Sequence, residues 1–111
     1  MCKRIYKFKH KNTLNMILEV AVLNVISGWE TQFEKDFAIA GQYICAIKGY
    51  IRHSLSKCIE QPNKYILLVE WQTLEDHTVG FRQSADYLEW KRLLHHYYDP
   101  FPVVEHFERV V

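Results

Sequence analysis

Residues 17–49 read ILEVAVLNVISGWETQFEKDFAIAGQYICAIKG, and a change of rhythm inside them decides the fold. From Ile17 to Ile26 the chain is β-branched and almost continuously apolar, which is strand chemistry. Ser27, with Glu30 three residues later, has the spacing of a helix capping box. Beyond it Trp29, Phe33, Phe37, Ala40, Ile44 and Ile47 recur at steps of three and four, the period of a helix with one buried stripe. Gly49 closes that helix.

The pattern then returns to period two. Ile51, His53 and Leu55 alternate with Arg52, Ser54 and Ser56, so Tyr50–Cys58 reads as a second strand. Glu60-Gln61-Pro62-Asn63 is a turn, and Tyr65–Trp71 a third strand; the short link makes the two an antiparallel hairpin. Thr73 and Asp76 form another capping box, opening a helical region broken near Gly80 and Ser84. Tyr87, Trp90, Leu94 and Tyr97 form its inward stripe, Asp99-Pro100 stops it, and Val103–Val110 is the last strand. The order β-α-β-β-α-β predicts an α+β, ferredoxin-like domain, an antiparallel sheet with two helices on one face.

That architecture leaves a problem. The first strand is apolar on both faces, with Leu18, Val20 and Val22 on one and Ile17, Ala21, Leu23 and Val25 on the other. Two helices cover only one face, and an antiparallel sheet with a wet face should alternate polar and apolar residues. A second copy of the chain is the simplest cover, so a homodimer with sheets packed face to face is expected.

The chain has 111 residues, 49 % hydrophobic and 24 % charged, room for one core and no separate cofactor domain. Its net charge of +1 hides an asymmetry: Lys3, Arg4, Lys7, Lys9 and Lys11 give residues 1–15 a charge of +5. The other 96 residues hold nine basic and thirteen acidic side chains, a charge of −4. We expect a disordered basic extension over residues 1–15 and one domain over 16–111. An acidic body lacks the concentrated basic face of a nucleic-acid binder. The apolar run after Met16 is interrupted by Glu19 and Asn24 and is too short to span a membrane. Cys2, Cys45 and Cys58 lack CxxC spacing and suggest reduced thiols rather than a disulfide framework or a zinc site. The expectation is a cytoplasmic protein with neither a nucleic-acid nor a membrane partner.

Few residues offer chemistry. Glu19 shares a strand face with Ile17, Ala21, Leu23 and Val25; facing the helices, its carboxyl would sit in apolar surroundings with a raised pKa, suited to a general base. The plainer alternatives are that Glu19 lies near a strand end, or that it pairs with a basic residue such as Arg52 or Arg82. Ala21 beside it leaves room for a ligand. His77 and Phe81 lie four apart with Arg82 adjacent, offering a proton acceptor, an aromatic wall and a cation; a solvent-exposed helix-start His is equally open. His53 is a core or interface residue or a ligand contact. Trp71, Tyr87 and Trp90 are core or stack on a planar ligand. His95 and His96 point about 100° apart on a helix and make poor joint metal ligands. One of the two can still line the pocket or the dimer seam, and His96, bordering the inward stripe through Leu93, is the candidate. No phosphate loop, dinucleotide fingerprint or serine-hydrolase elbow is present.

The stretches MILEVAVLNVISGWETQFEKDF and YILLVEWQTLEDHTVGFRQSADYLEWKRLLHHYYDPFPVVEHF resemble the antibiotic biosynthesis monooxygenase (ABM) family. WQTLEDHTVGFR and LLHHYYDPFP are the most specific pieces and are similar to an uncharacterised bacterial subgroup. The resemblance implies a dimeric α/β barrel with an enzyme pocket between sheet and helices. It implies oxygenation of polycyclic phenols and quinols without a cofactor, with haem cleavage and isomerisation in other branches. The Asn, Trp and His of haem-degrading members fall on Ala21, Phe81 and Lys91. The paired His of many quinol-oxidising members fall on Phe81 and Asp86.

The expectation is therefore a small oxygenase without flavin, haem or metal, taking an activated phenol or quinol and dioxygen. Glu19 or His77 would remove a proton and Arg82 would stabilise the anion; Ala21, His53, Trp71, Phe81, Tyr87, Trp90 and His96 would bind substrate. Alternatives are a tautomerase or isomerase of a small metabolite, and a small-molecule-binding dimer without catalysis.

Overall fold

The structure, a computed structural model, describes residues 16–111; the basic extension expected over 1–15 lies outside the described residues. Four strands, β1 (Ile17–Asn24), β2 (Tyr50–Lys57), β3 (Lys64–Trp71) and β4 (Val104–Glu108), form one antiparallel sheet in the order β2-β3-β1-β4. Helix α1 (Glu30–Ile44) joins β1 to β2. A π-helical turn (Asp76–Phe81), helix α2 (Ala85–Leu94) and a 3-10 turn (His95–Tyr97) join β3 to β4. Both crossovers lie on one face, the ferredoxin-like α+β arrangement, and the sheet is not closed.

The most apolar strand lies inside the sheet. β1 pairs with β3 on one side, Glu19 opposite Val69 and Ala21 opposite Leu67, and with β4 on the other, Glu19 opposite His106. Its Ala21, Leu23 and Val25 face the helices and are buried, against Phe33, Phe37, Ala40 and Ile44 of α1 and Trp90 and Leu94 of α2. Phe33 is fully buried among the rings of Phe37, Tyr65, Tyr97 and Tyr98. Burying one such ring contributes about 1.5–3 kcal/mol.

On the opposite face Val22, Ile66 and Phe107 are 39, 38 and 49 % exposed. The apolar second face expected from β1 is real and uncovered by this chain's helices. No helix among the described residues is long and apolar enough to cross a membrane. Cys58 is a free thiol, and Cys2 lies outside the described residues.

The helix starts differ in how they use their caps. Ser27 does not cap α1. Gly28 adopts φ +97°, the turn closes from Trp29 N–H to the Ile26 carbonyl (3.0 Å), and Glu30 accepts from Gly28 N–H (2.9 Å). The left-handed residue leaves Ser27 two positions ahead of the N-cap, which is Trp29. The second box forms as expected: Thr73 N–H donates to Asp76 Oδ2 (3.2 Å) and Asp76 N–H to Thr73 Oγ1 (3.1 Å). The expected break is also present, with Ser84 Oγ accepting from Tyr87 N–H (3.1 Å) to start α2.

Candidate functional site

Between the sheet and the α2 side of the helical layer lies a cavity of about 370 Å3. Its floor is Glu19, Ala21 and Leu23 of β1 with Leu67 of β3. Its walls are His77, Phe81 and Arg82 from the π-helical turn, Tyr87 and Trp90 from α2, and His95, Tyr98, Phe101, Pro102 and Val104 from the chain leading into β4. A small residue at 21 leaves the space. Phe81 meets Tyr87 and Trp90 edge-on, at 5.2 and 5.6 Å between ring centres, which keeps the wall aromatic and stiff.

Local geometry explains why these side chains converge. The π-helical turn closes from Arg82 N–H to the His77 carbonyl (3.2 Å), one residue wider than an α-turn. That extra residue brings His77, Phe81 and Arg82 together on the cavity side, and such widened turns occur mostly at functional sites. At the far end, α2 gives way at Leu94 to a 3-10 turn, where residues three apart eclipse. Leu94 and Tyr97 align toward the core, and His95 and Tyr98 line the cavity.

The polar centre is Glu19, 5 % exposed. Its Oε1 accepts the indole N–H of Trp71 at 2.9 Å and lies 3.4 Å from His77 Nε2. Burial lifts the carboxyl from its ordinary 4.5 to about 7; the Trp71 bond and the nearby Arg82 charge offset part of the rise. His77, 3 % exposed, stacks on Trp71 (5.3 Å, 18° between planes) and shares a 2.7 Å hydrogen bond from Nδ1 to His106 Nε2. Burial, with the Arg82 charge and His106 adding to it, holds the pKa of His77 down at about 3. His77 is therefore a neutral imidazole rather than a cation beside Glu19, and near neutral pH the carboxyl is poised between acid and base. His95 is likewise kept neutral, its pKa lowered by burial and Lys91 to about 4.

Of the residues expected at a site, the fold brings Glu19, Ala21, His77, Phe81, Arg82, Tyr87 and Trp90 to one cavity. Three stand elsewhere. Trp71 is fully buried behind Glu19, where its indole N–H holds the carboxyl and its face is stacked on His77 rather than open to the cavity. His53 on β2 shares a 2.6 Å hydrogen bond with the Tyr50 hydroxyl and packs beside Phe37, away from the cavity. His96 is exposed against Tyr97, because the 3-10 turn selects His95 for the cavity. Arg52 pairs with Glu70 (2.7 Å) and leaves Glu19 alone. His106 is a further member of the site: it shares a β4 face with Val104 and Glu108, which strand period shows, but its pairing with Glu19 depends on register, which period does not encode. Among the described residues no group of three or more His, Cys, Asp or Glu is placed to hold a metal ion.

The pattern of the family described as antibiotic biosynthesis monooxygenase matches residues 16–93. The chain is 58 % identical over 95 residues to the uncharacterised protein YczJ of Bacillus subtilis (strain 168), covering 86 % of this chain and all of that one. A crystal structure from Bordetella bronchiseptica, provisionally named an antibiotic biosynthesis monooxygenase, is 38 % identical with a TM-score of 0.82, covering 86 % of this chain and 98 % of that one. SnoaB of Streptomyces nogalater, a cofactor-independent oxygenase, shares the fold at 20 % identity and a TM-score of 0.63, covering 86 and 92 %. The chain belongs to the antibiotic biosynthesis monooxygenase family.

Proposed function

We propose that this chain is a monooxygenase that needs no cofactor and acts on an activated phenol, quinol or similar enolisable ring. The observation that carries the reading is the protonatable carboxyl of Glu19 on the floor of an aromatic-walled cavity with one cation, Arg82, on its wall. A flat ring fits between such walls. Glu19 in its carboxylate form removes the acidic proton, and Arg82 stabilises the resulting anion. The electron-rich anion reduces dioxygen and combines with it. Loss of water from the hydroperoxide turns a ring CH2 into a carbonyl, so one oxygen atom enters the product and the other leaves as water. The substrate supplies the electrons.

Anthrone and a panel of hydroquinones in an oxygen electrode test this. The protein should accelerate uptake, and Glu19→Gln should lower the rate by about 100-fold or more, the span of a lost general base. No uptake with any member of the panel overturns the oxygenase reading. The same base suits an isomerase, since nothing in proton removal and return requires oxygen. Turnover that persists under strict anaerobiosis would assign that class instead.

The working unit we propose is a homodimer, its two sheets packed through the face that leaves Val22, Ile66 and Phe107 exposed. Light scattering at micromolar concentration should give twice the 13.3 kDa of the chain. A monomeric mass would overturn it.

A further inference from the structure

A buried base must dispose of its proton. Glu19 is 5 % exposed, and a ring filling the cavity would close its route to water on that side. On the other side the carboxyl meets a chain of imidazoles. Oε1 lies 3.4 Å from His77 Nε2, and His77 Nδ1 lies 2.7 Å from His106 Nε2. Three elements supply the chain: β1, the π-helical turn and β4. The register that sets Glu19 directly opposite His106 fixes its two ends. His106 is partly exposed on an edge strand, and no described protein group hydrogen-bonds its Nδ1.

Both protonation states of Glu19 fit these atoms. With the carboxyl protonated, its O–H points to His77 Nε2, His77 Nδ1–H donates to His106 Nε2, and His106 carries its proton on Nδ1. With the carboxyl ionised, His77 Nε2–H donates to Glu19, His106 Nε2–H donates to His77 Nδ1, and His106 Nδ1 is bare. Neither state strands a donor or an acceptor.

We propose that His77 and His106 form a proton relay that connects Glu19 to solvent by switching tautomers together. The step balances. The Glu19 proton passes to His77 Nε2, the His77 Nδ1 proton passes to His106 Nε2, and the His106 Nδ1 proton leaves to water. One proton exits and both rings remain neutral; the same steps in reverse carry a proton from water back to Glu19, so the relay equilibrates the buried carboxyl with solvent. The 3.4 Å gap must close by a few tenths of an ångström to reach hydrogen-bond length. The surroundings favour neutral rings: burial and the Arg82 charge lower the pKa of both His77 and His106. The groups facing the relay are Trp71 from β3, which holds Glu19 in place, and Arg82 from the π-helical turn, which disfavours an imidazolium. His106 touches no substrate in this scheme and acts through His77.

The relay rests on Glu19 as the base of the proposed reaction, yet it can be read without turnover. In the full chain with 15N-labelled histidine, NMR from about pH 5 to about pH 9 should show the nitrogens of His77 and His106 exchanging protonated and bare character together as Glu19 titrates. In Glu19→Gln both tautomers should stay fixed. Fixed tautomers in the unaltered protein overturn the relay whatever the oxygen assay gives; switching tautomers with no oxygen uptake leave the relay standing and remove the oxygenase reading. Where turnover is seen, His106→Gln, which can hold a hydrogen bond but cannot hand on a proton, should slow kcat by about tenfold with KM unchanged, and added imidazole should restore it. Unchanged kcat in a folded His106→Gln protein overturns the relay as the catalytic route.

Discussion

At pH 8, Glu19→Gln will make the folded chain more stable by about 2–3 kcal/mol, and at pH 5 most of that gain will be gone. The sign follows from where the proton sits. Unfolded, the carboxyl titrates near 4.5; folded, burial has raised it to about 7. Below 4.5 both states hold the proton and the group is neutral in the balance. Between 4.5 and 7 the folded state holds a proton that the unfolded state releases, so stability falls as pH rises. Above 7 the full cost of burying a carboxylate is present. A glutamine removes it while its amide oxygen still accepts the Trp71 N–H. His77 contributes a slope of the opposite sign below about pH 6.5, since it stays neutral when folded. That slope is common to both proteins and cancels in the difference. Urea midpoints at the two pH values, at one protein concentration, measure the effect. An equal gain at both, or a loss at pH 8, would mean the carboxyl is not buried as a base. The same substitution should slow oxygen uptake by about 100-fold or more, so the side chain that costs stability is the one that confers reactivity.

The sequence carried the frame and about half of this site. Period and caps are local, so the strands, α1, the Thr73–Asp76 box and the break at Ser84 could be read directly. Glu19 stood out because a lone carboxylate in an apolar strand has to be explained. What failed depended on backbone geometry that period alone does not encode. A steady 3.6-residue rhythm turns His96 toward the cavity; the chain tightens to a 3-10 turn at His95 and turns His95 there instead. Trp71 and His53 both sit on inward strand faces, yet the cavity covers only the part of the sheet under α2, leaving one behind the carboxyl and the other at β2. His106 became visible only through the pairing of β1 with β4. A sequence without its register cannot supply a contact between residues 19 and 106.

Gly49→Ala will cost about 2–4 kcal/mol of stability and displace His77 from Glu19, although residue 49 lies outside the cavity. Gly49 adopts φ +88° in the turn from α1 into β2, a conformation that an L side chain enters only under strain. A methyl group there would overlap the Asp76 carboxylate and fall 2.7 Å from its Cβ, too near the backbone for a rotamer change to relieve. Asp76 and Thr73 hold the first turn from which His77 projects. Moving Asp76 therefore shifts His77 against both Glu19 and His106. Asp76→Ala alone should lose the cap, about 1 kcal/mol. In the double variant the alanine at 76 leaves more room, so the two costs should fall short of their sum by about 1 kcal/mol, while the strain of positive φ stays. Denaturation of the four proteins in the cycle gives the coupling, and the His77–His106 NMR signals report whether the relay geometry moves with it. Strict additivity would mean that the glycine serves the turn alone. Coupling would mean that a backbone position at the start of β2 sets the distance between a base and its proton acceptor.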